Sequence, residues 1–167
     1  MVTTADADTK IEAEFDKLDL NRDGKLDWSD YETLLGRYEQ AAGTGPEDRR
    51  LQALRGFYQL HYAELLRHAG ASGGELTKSQ FVSATRSLTA DTTRINAAEA
   101  GGHLIFDLID TDGSGVISQQ ELTHYLTTVW KIDESEAVYN LSELDTDGDS
   151  QISRQEFVRG IQFHLDA

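Results

Sequence analysis

The sequence predicts an all-α fold: four helix–loop–helix units, about eight helices, in two pairs that form a compact body with short β bridges between paired loops. Three observations predict it. A polar loop of twelve residues recurs, beginning at residues 19, 69, 110 and 145. Apolar residues flank each loop at helical spacing. Strand character is confined to two or three residues around Leu26, Leu76, Ile117 and Ile152.

The elements follow in order. Ile11, Phe15 and Leu18 form an apolar stripe ahead of the first loop, DLNRDGKLDWSD (19–30), and Tyr31, Leu34, Leu35 and Tyr38 continue it afterwards. The segment AAGTGPED (41–48) holds the internal proline, and Thr44 with Glu47 gives a helix-start signal for a long helix over about 47–68. The second loop is AGASGGELTKSQ (69–80). A break at LTADTTR (88–94) divides the chain into an N-terminal pair, 1–90, and a C-terminal pair, 91–167. In the second half, Leu104, Phe106 and Ile109 precede DTDGSGVISQQE (110–121), and Leu122, Tyr125, Leu126 and Val129 follow it. Leu141 and Leu144 precede DTDGDSQISRQE (145–156), and Phe157, Val158 and Ile161 follow.

The loops carry the chemistry. In three of them, oxygen-bearing side chains stand at places 1, 3, 5, 9 and 12. Those residues are Asp19, Asn21, Asp23, Asp27 and Asp30; Asp110, Asp112, Ser114, Ser118 and Glu121; and Asp145, Asp147, Asp149, Ser153 and Glu156. Calcium takes roughly 6–8 oxygen ligands at about 2.3–2.6 Å, and this alternation wraps a chain around one such ion. The seventh place offers a backbone carbonyl, so its side chain is unconstrained: Lys25, Val116 and Gln151. The sixth place turns sharply, which suits Gly24 and Gly115. The eighth place, Leu26, Ile117 or Ile152, points inward and pairs the loops. Places 9 and 12 stand as N-cap and N3 of the outgoing helix, so Ser118 with Glu121 and Ser153 with Glu156 are capping boxes that also close the ion site.

This pattern resembles the EF-hand. The long interval between the first two loop starts, the degenerate second unit and the chain length are similar to the sarcoplasmic calcium-binding proteins and bacterial calerythrin, over about residues 5–165. The resemblance implies eight helices in two EF-hand pairs packed together, three occupied calcium sites, and a role in calcium buffering or transport.

The loops differ in ways that matter. Loop one ends in Asp30, one methylene shorter than glutamate, so six-coordination and magnesium become competitive there. Loop two has Ala69, Ala71, Gly73 and Gln80 where carboxylates would stand; it is expected to bind no metal and to brace loop one. Loop four has Ser150 at the sixth place, where a left-handed turn costs a non-glycine residue about 1–2 kcal/mol. Against that, Asp149 supplies a carboxylate where loop three has Ser114. The two effects oppose each other, and loop four is expected to bind.

Composition sets the class of partner. The net charge is −15, with −4 from residues 1–90 (15 acids, 11 bases) and −11 from 91–167 (15 acids, 4 bases), which disfavours nucleic acid and anionic membranes and suits cations. The absence of cysteine excludes disulfides and zinc–thiolate sites. No signal peptide, myristoylation pattern or spanning run is visible, so a cytoplasmic monomer without membrane anchor is expected. No nucleophile–base pair or phosphate loop marks an enzyme. The five histidines lack close metal-ligand spacing, Trp28 and Trp130 read as core anchors near helix ends, and Asp6, Asp8, Glu12 and Glu14 read as a solvated acidic face. Two functions compete. A sensor presents an adaptable, methionine-rich groove, whereas this chain has one methionine, the first residue, which favours a buffer. A sensor with one dedicated partner is the alternative. A small-ligand cavity protein of the photoprotein kind is a third class.

Overall fold

The computed structural model describes residues 4–90 and 97–166. Its elements run α1 (Thr4–Leu18), β1 (Lys25–Leu26), α2 (Trp28–Ala42), α3 (Arg49–Ala69), β2 (Leu76–Thr77), α4 (Lys78–Ala90), α5 (Ala97–Ile109), β3 (Val116–Ser118), α6 (Gln119–Val129), α7 (Glu134–Leu144), β4 (Gln151–Ser153) and α8 (Arg154–Asp166). The all-α expectation, with four helix–loop–helix units, holds. The break at 88–94 falls largely outside the described residues.

Helix boundaries follow from local chemistry. Glycines end α2 and α3: Gly43 (φ 65°) and Gly70 (φ 63°) take the left-handed conformation that satisfies the last carbonyls. The start of α3 departs from expectation. Its N-cap is Asp48, whose carboxylate accepts from Arg50 N–H at 2.8 Å and from the Arg50 guanidinium at 2.7 Å. Thr44 does not cap the helix; its hydroxyl donates to Asp48 over 2.9 Å and braces the true cap. A carboxylate with both oxygens engaged outcompetes the Thr44–Glu47 box, and the Arg50 guanidinium holds the Asp48 carboxyl well below its usual range.

The loops pair through two short antiparallel bridges. Leu26 faces Leu76 in one, and Ile117 faces Ile152 in the other. All four are fully buried and belong to one core that draws on both halves of the chain. Burying such side chains stabilises by about 1.5–3 kcal/mol each. Tyr62 of α3 packs behind the first bridge, its hydroxyl within hydrogen-bond reach of Leu26 O and Gly74 O.

The helices that leave loops one and three, α2 and α6, pack together and carry three polar contacts. Arg37 donates to Val129 O at 3.0 Å, the Tyr38 and Tyr125 hydroxyls lie 3.2 Å apart, and His124 Nε2 lies 3.0 Å from Ala41 O. In the second half, Arg154 of α8 bonds Asp107 of α5 at 2.5 Å and lies 4.5 Å from the centre of the Phe106 ring.

The acidic start is not wholly solvated, contrary to expectation. Asp8 pairs with Arg86 of α4 at 3.1 Å. Burial raises the ionisation thresholds of Tyr31, Tyr58 and Tyr125, with the nearby Glu14 carboxylate adding a smaller part, and burial pushes Glu14's own carboxyl up, with Lys17 offsetting part. Both residues lie on the α1 face that meets other helices. The tryptophans are partly buried against the core, as expected. Trp28 stacks on Tyr31 at 5.5 Å and donates to Glu32 at 2.7 Å, while Trp130 donates to Tyr125 OH at 2.8 Å.

Candidate metal centre

One scaffold recurs in loops one, three and four. The first-place carboxylate accepts from the N–H of the sixth residue, so Asp19 Oδ2 takes Gly24, Asp110 Oδ2 takes Gly115 and Asp145 Oδ2 takes Ser150, each at 2.9 Å. Its second oxygen accepts from the fifth-place N–H at 3.3, 3.1 and 3.2 Å. The third-place side chains of Asn21, Asp112 and Asp147 accept from that same N–H at 3.3, 3.0 and 3.2 Å. Fifth-place Asp23 and Asp149 accept from Lys25 and Gln151 N–H, both at 2.9 Å. These bonds curl the chain so that alternate side chains point inward.

The positive φ at the sixth place is present throughout: Gly24 at 80°, Gly115 at 87° and Ser150 at 65°. Ser150 therefore adopts the glycine conformation and makes the glycine's hydrogen bond. Loop one carries its own non-glycine left-handed residue at the fourth place, Arg22 at 56°, where loops three and four have Gly113 and Gly148.

The twelfth place closes each loop through a capping box. Ser118 N–H donates to Glu121 Oε1 and Ser153 N–H to Glu156 Oε1, both at 2.9 Å, and the reciprocal bonds measure 3.1 Å. Loop one does the same with Asp27 and Asp30, at 3.1 and 3.3 Å. Loop two keeps the device without the ligands, through Thr77 and Gln80 at 2.9 and 3.2 Å.

Two groups of carboxylates gather with ligand oxygens within 4.8 Å of one another: Asp145, Asp147, Asp149 and Glu156, and Asp110, Asp112 and Glu121. Among the described residues, Asp19, Asp23, Asp27 and Asp30 do not gather in this way. Loop one differs from them in having an amide at its third place and a shorter acid at its twelfth. Burial raises the Asp30 carboxyl, although its backbone hydrogen bonds oppose this.

The donor set fits a hard cation. Asp110 and Glu156 are buried, and no lysine or arginine among the described residues forms an ion pair with either group. Clustered carboxylates without a counter-charge repel, and an ion removes that penalty. Their ionisation diverges accordingly. Hydrogen bonding from Ser114 lowers the Asp112 carboxyl. Asp147 is favoured as an anion by Asp149 N–H but is raised overall by burial and by the carboxylates of Asp145 and Asp149. Burial disfavours ionised Glu156, yet bonds from Ser153 and Thr146 hold it below its usual range. Loop three has one handicap: the Ser114 hydroxyl donates to Val116 O at 2.9 Å, tying up an oxygen expected to face the ion. Asp149 has no such proton to give.

Sequence reasoning overlooked Thr111 and Thr146, whose hydroxyls bond the closing glutamates. The DTD repeat at each loop start carried that signal. It also overlooked Asp27-x-x-Asp30 as a capping box.

Loop geometry of this kind, on paired helix–loop–helix units, defines an EF-hand protein. EF-hand domain-pair models match residues 103–162 and 72–128, and an EF-hand model matches residues 11–35. Within that class the chain resembles the calerythrin and sarcoplasmic calcium-binding protein family. Calerythrin of Saccharopolyspora erythraea is 25% identical over 169 residues, covering 98% of this chain and 95% of its own. A Streptomyces coelicolor calcium-binding protein, described in terms of prokaryotic calcium-mediated regulation, superposes with a TM-score of 0.76 at 26% identity, covering 95% and 97% of the two chains. The calcium-loaded apo form of berovin, a photoprotein of the ctenophore Beroe abyssicola, shares the fold with a TM-score of 0.75 at 19% identity over 94% and 86% of the chains. The chain is therefore a calcium-binding EF-hand protein. No helix among the described residues is long and apolar enough to cross a membrane.

Proposed function

We propose that this protein is an intracellular calcium buffer or transporter, a cytoplasmic monomer with three metal sites, in which loops three and four hold calcium and loop one exchanges calcium with magnesium. The ligands in this reading are the side chains at places 1, 3, 5, 9 and 12 of each loop, with the carbonyls of Lys25, Val116 and Gln151. The N-terminal pair, 1–90, then holds one working and one bracing hand, and the C-terminal pair, 91–167, holds two working hands. No catalytic step is assigned.

The gathered carboxylates of loops three and four carry the metal reading. The choice of buffer rests on the stiff core and on the polar contacts between α2 and α6, which a calcium-driven opening would have to break. The resemblance to the Streptomyces protein favours the alternative, a sensor acting on a dedicated partner protein. The test is the binding of an apolar-surface dye while calcium is added to protein held in millimolar-range magnesium. A flat or falling signal is expected of the buffer; a signal rising with calcium occupancy would overturn it in favour of the sensor. Isothermal titration counts the ions, and the expected stoichiometry is three.

A further inference from the structure

In loops three and four the second place is threonine, and both side chains are exposed. Thr111 donates twice to Glu121 Oε2, through its N–H at 2.9 Å and its hydroxyl at 3.1 Å. Thr146 does the same to Glu156 Oε2, at 2.8 and 3.0 Å. The third-place N–H groups of Asp112 and Asp147 approach the same oxygens at 3.5 and 3.3 Å. The other oxygen of each glutamate is held by the capping box. Both oxygens of each closing carboxylate are thus fixed from opposite sides. Loop one has Leu20 at the second place, packed against the core, and cannot supply the hydroxyl.

We propose that Thr111 and Thr146 are positioning residues that set the preference of sites three and four for calcium over magnesium. The inference rests on the reading that these loops bind the ion. Calcium accommodates a carboxylate that offers both oxygens, whereas magnesium demands near-octahedral six-coordination, which a two-oxygen closure crowds. A closing glutamate must therefore swing one oxygen away before magnesium fits. The threonine hydroxyl is bonded to Oε2 and resists that swing. In this reading it is not itself a ligand; it steadies the two-oxygen closure that calcium uses and magnesium does not.

The test uses the full chain with Thr111→Val and Thr146→Val, singly and together, beside the corresponding Ser variants, which keep the hydroxyl. Calcium dissociation is followed by stopped flow against a fluorescent chelator, and calcium and magnesium are each titrated alone. The Val variants are expected to release calcium about tenfold faster, the scale of one charge-assisted hydrogen bond, while magnesium affinity holds or rises. The Ser variants are expected to match the parent. Equal losses for both ions, unchanged calcium rates in the Val variants, or Ser variants that behave like Val would each overturn the proposal and leave the sites standing. A parent chain that binds no calcium would overturn the site reading and this inference with it. Should a Val variant fail to fold, Thr→Ala at the same position gives the same comparison, judged by the same outcomes.

Discussion

Leu26 and Leu76 face each other across the β1–β2 bridge with none of their surface exposed, although only Leu26 belongs to a loop with acidic ligands. The pairing explains why a loop without ligands keeps its shape. Leu76→Ala is expected to destabilise the protein by about 2–5 kcal/mol, measured by urea unfolding, because the cavity opens against the bridge. It is also expected to weaken site one, whose loop is paired to Leu76 through that bridge.

Ser150 sits at φ 65° with its N–H on Asp145, in the conformation and role of Gly115. Ser150→Gly is expected to raise the stability of the calcium-loaded form by about 1 kcal/mol, the strain of a side chain in a left-handed turn less the extra freedom glycine gains when unfolded. Urea unfolding in saturating calcium measures it, and a loss of stability would remove the strain argument.

Asp30→Glu lengthens the closing acid of loop one. The expected outcome is a calcium-to-magnesium affinity ratio at site one that rises on the order of tenfold, the effect of about 1.4 kcal/mol. Competitive titration of the two ions reads it directly.

Glu14 makes the pH dependence specific. Its folded carboxyl is raised by burial, so the folded chain keeps that proton to higher pH than the unfolded chain does. Stability is therefore lost as pH rises from near the ordinary value of 4.5 through the folded value, and stays lost above it. Glu14→Gln is expected to be more stable than the parent at pH 7, with the difference closing as pH falls below about 4.5. Paired thermal melts across that range check the sign.

Removing calcium is expected to lower the melting temperature, since each site adds about 2.7 kcal/mol when free calcium stands at one hundred times its dissociation constant. Scanning calorimetry with calcium and with chelator settles it, and equal melting temperatures would contradict the expectation.

The fold was legible because place and period agree. Leu26, Leu76, Ile117 and Ile152 each recur at the eighth place of a twelve-residue loop, and their burial follows from that position alone. The capping boxes of loops three and four were legible for the same reason. The start of α3 was not, because two N-cap signals overlap and a guanidinium decides between them. Glu14 was misread because an acid among other acids looks solvated; only the packing of α1 turns it toward tyrosines that lie between 17 and 111 residues away in sequence. The threonine–glutamate bonds span ten residues around a loop, beyond what helical or strand periodicity reports.

The three contacts between α2 and α6 couple the two halves mechanically. Each helix starts at a capping box whose residues are ion ligands in the proposed reading, and each is fastened to the other nearer its far end. With the two helices fastened in this way, neither is expected to shift without the other, like a pair of meshed levers. Filling of site one and of site three should therefore register as a single concerted event in the chain, with no dumbbell of independently responding lobes.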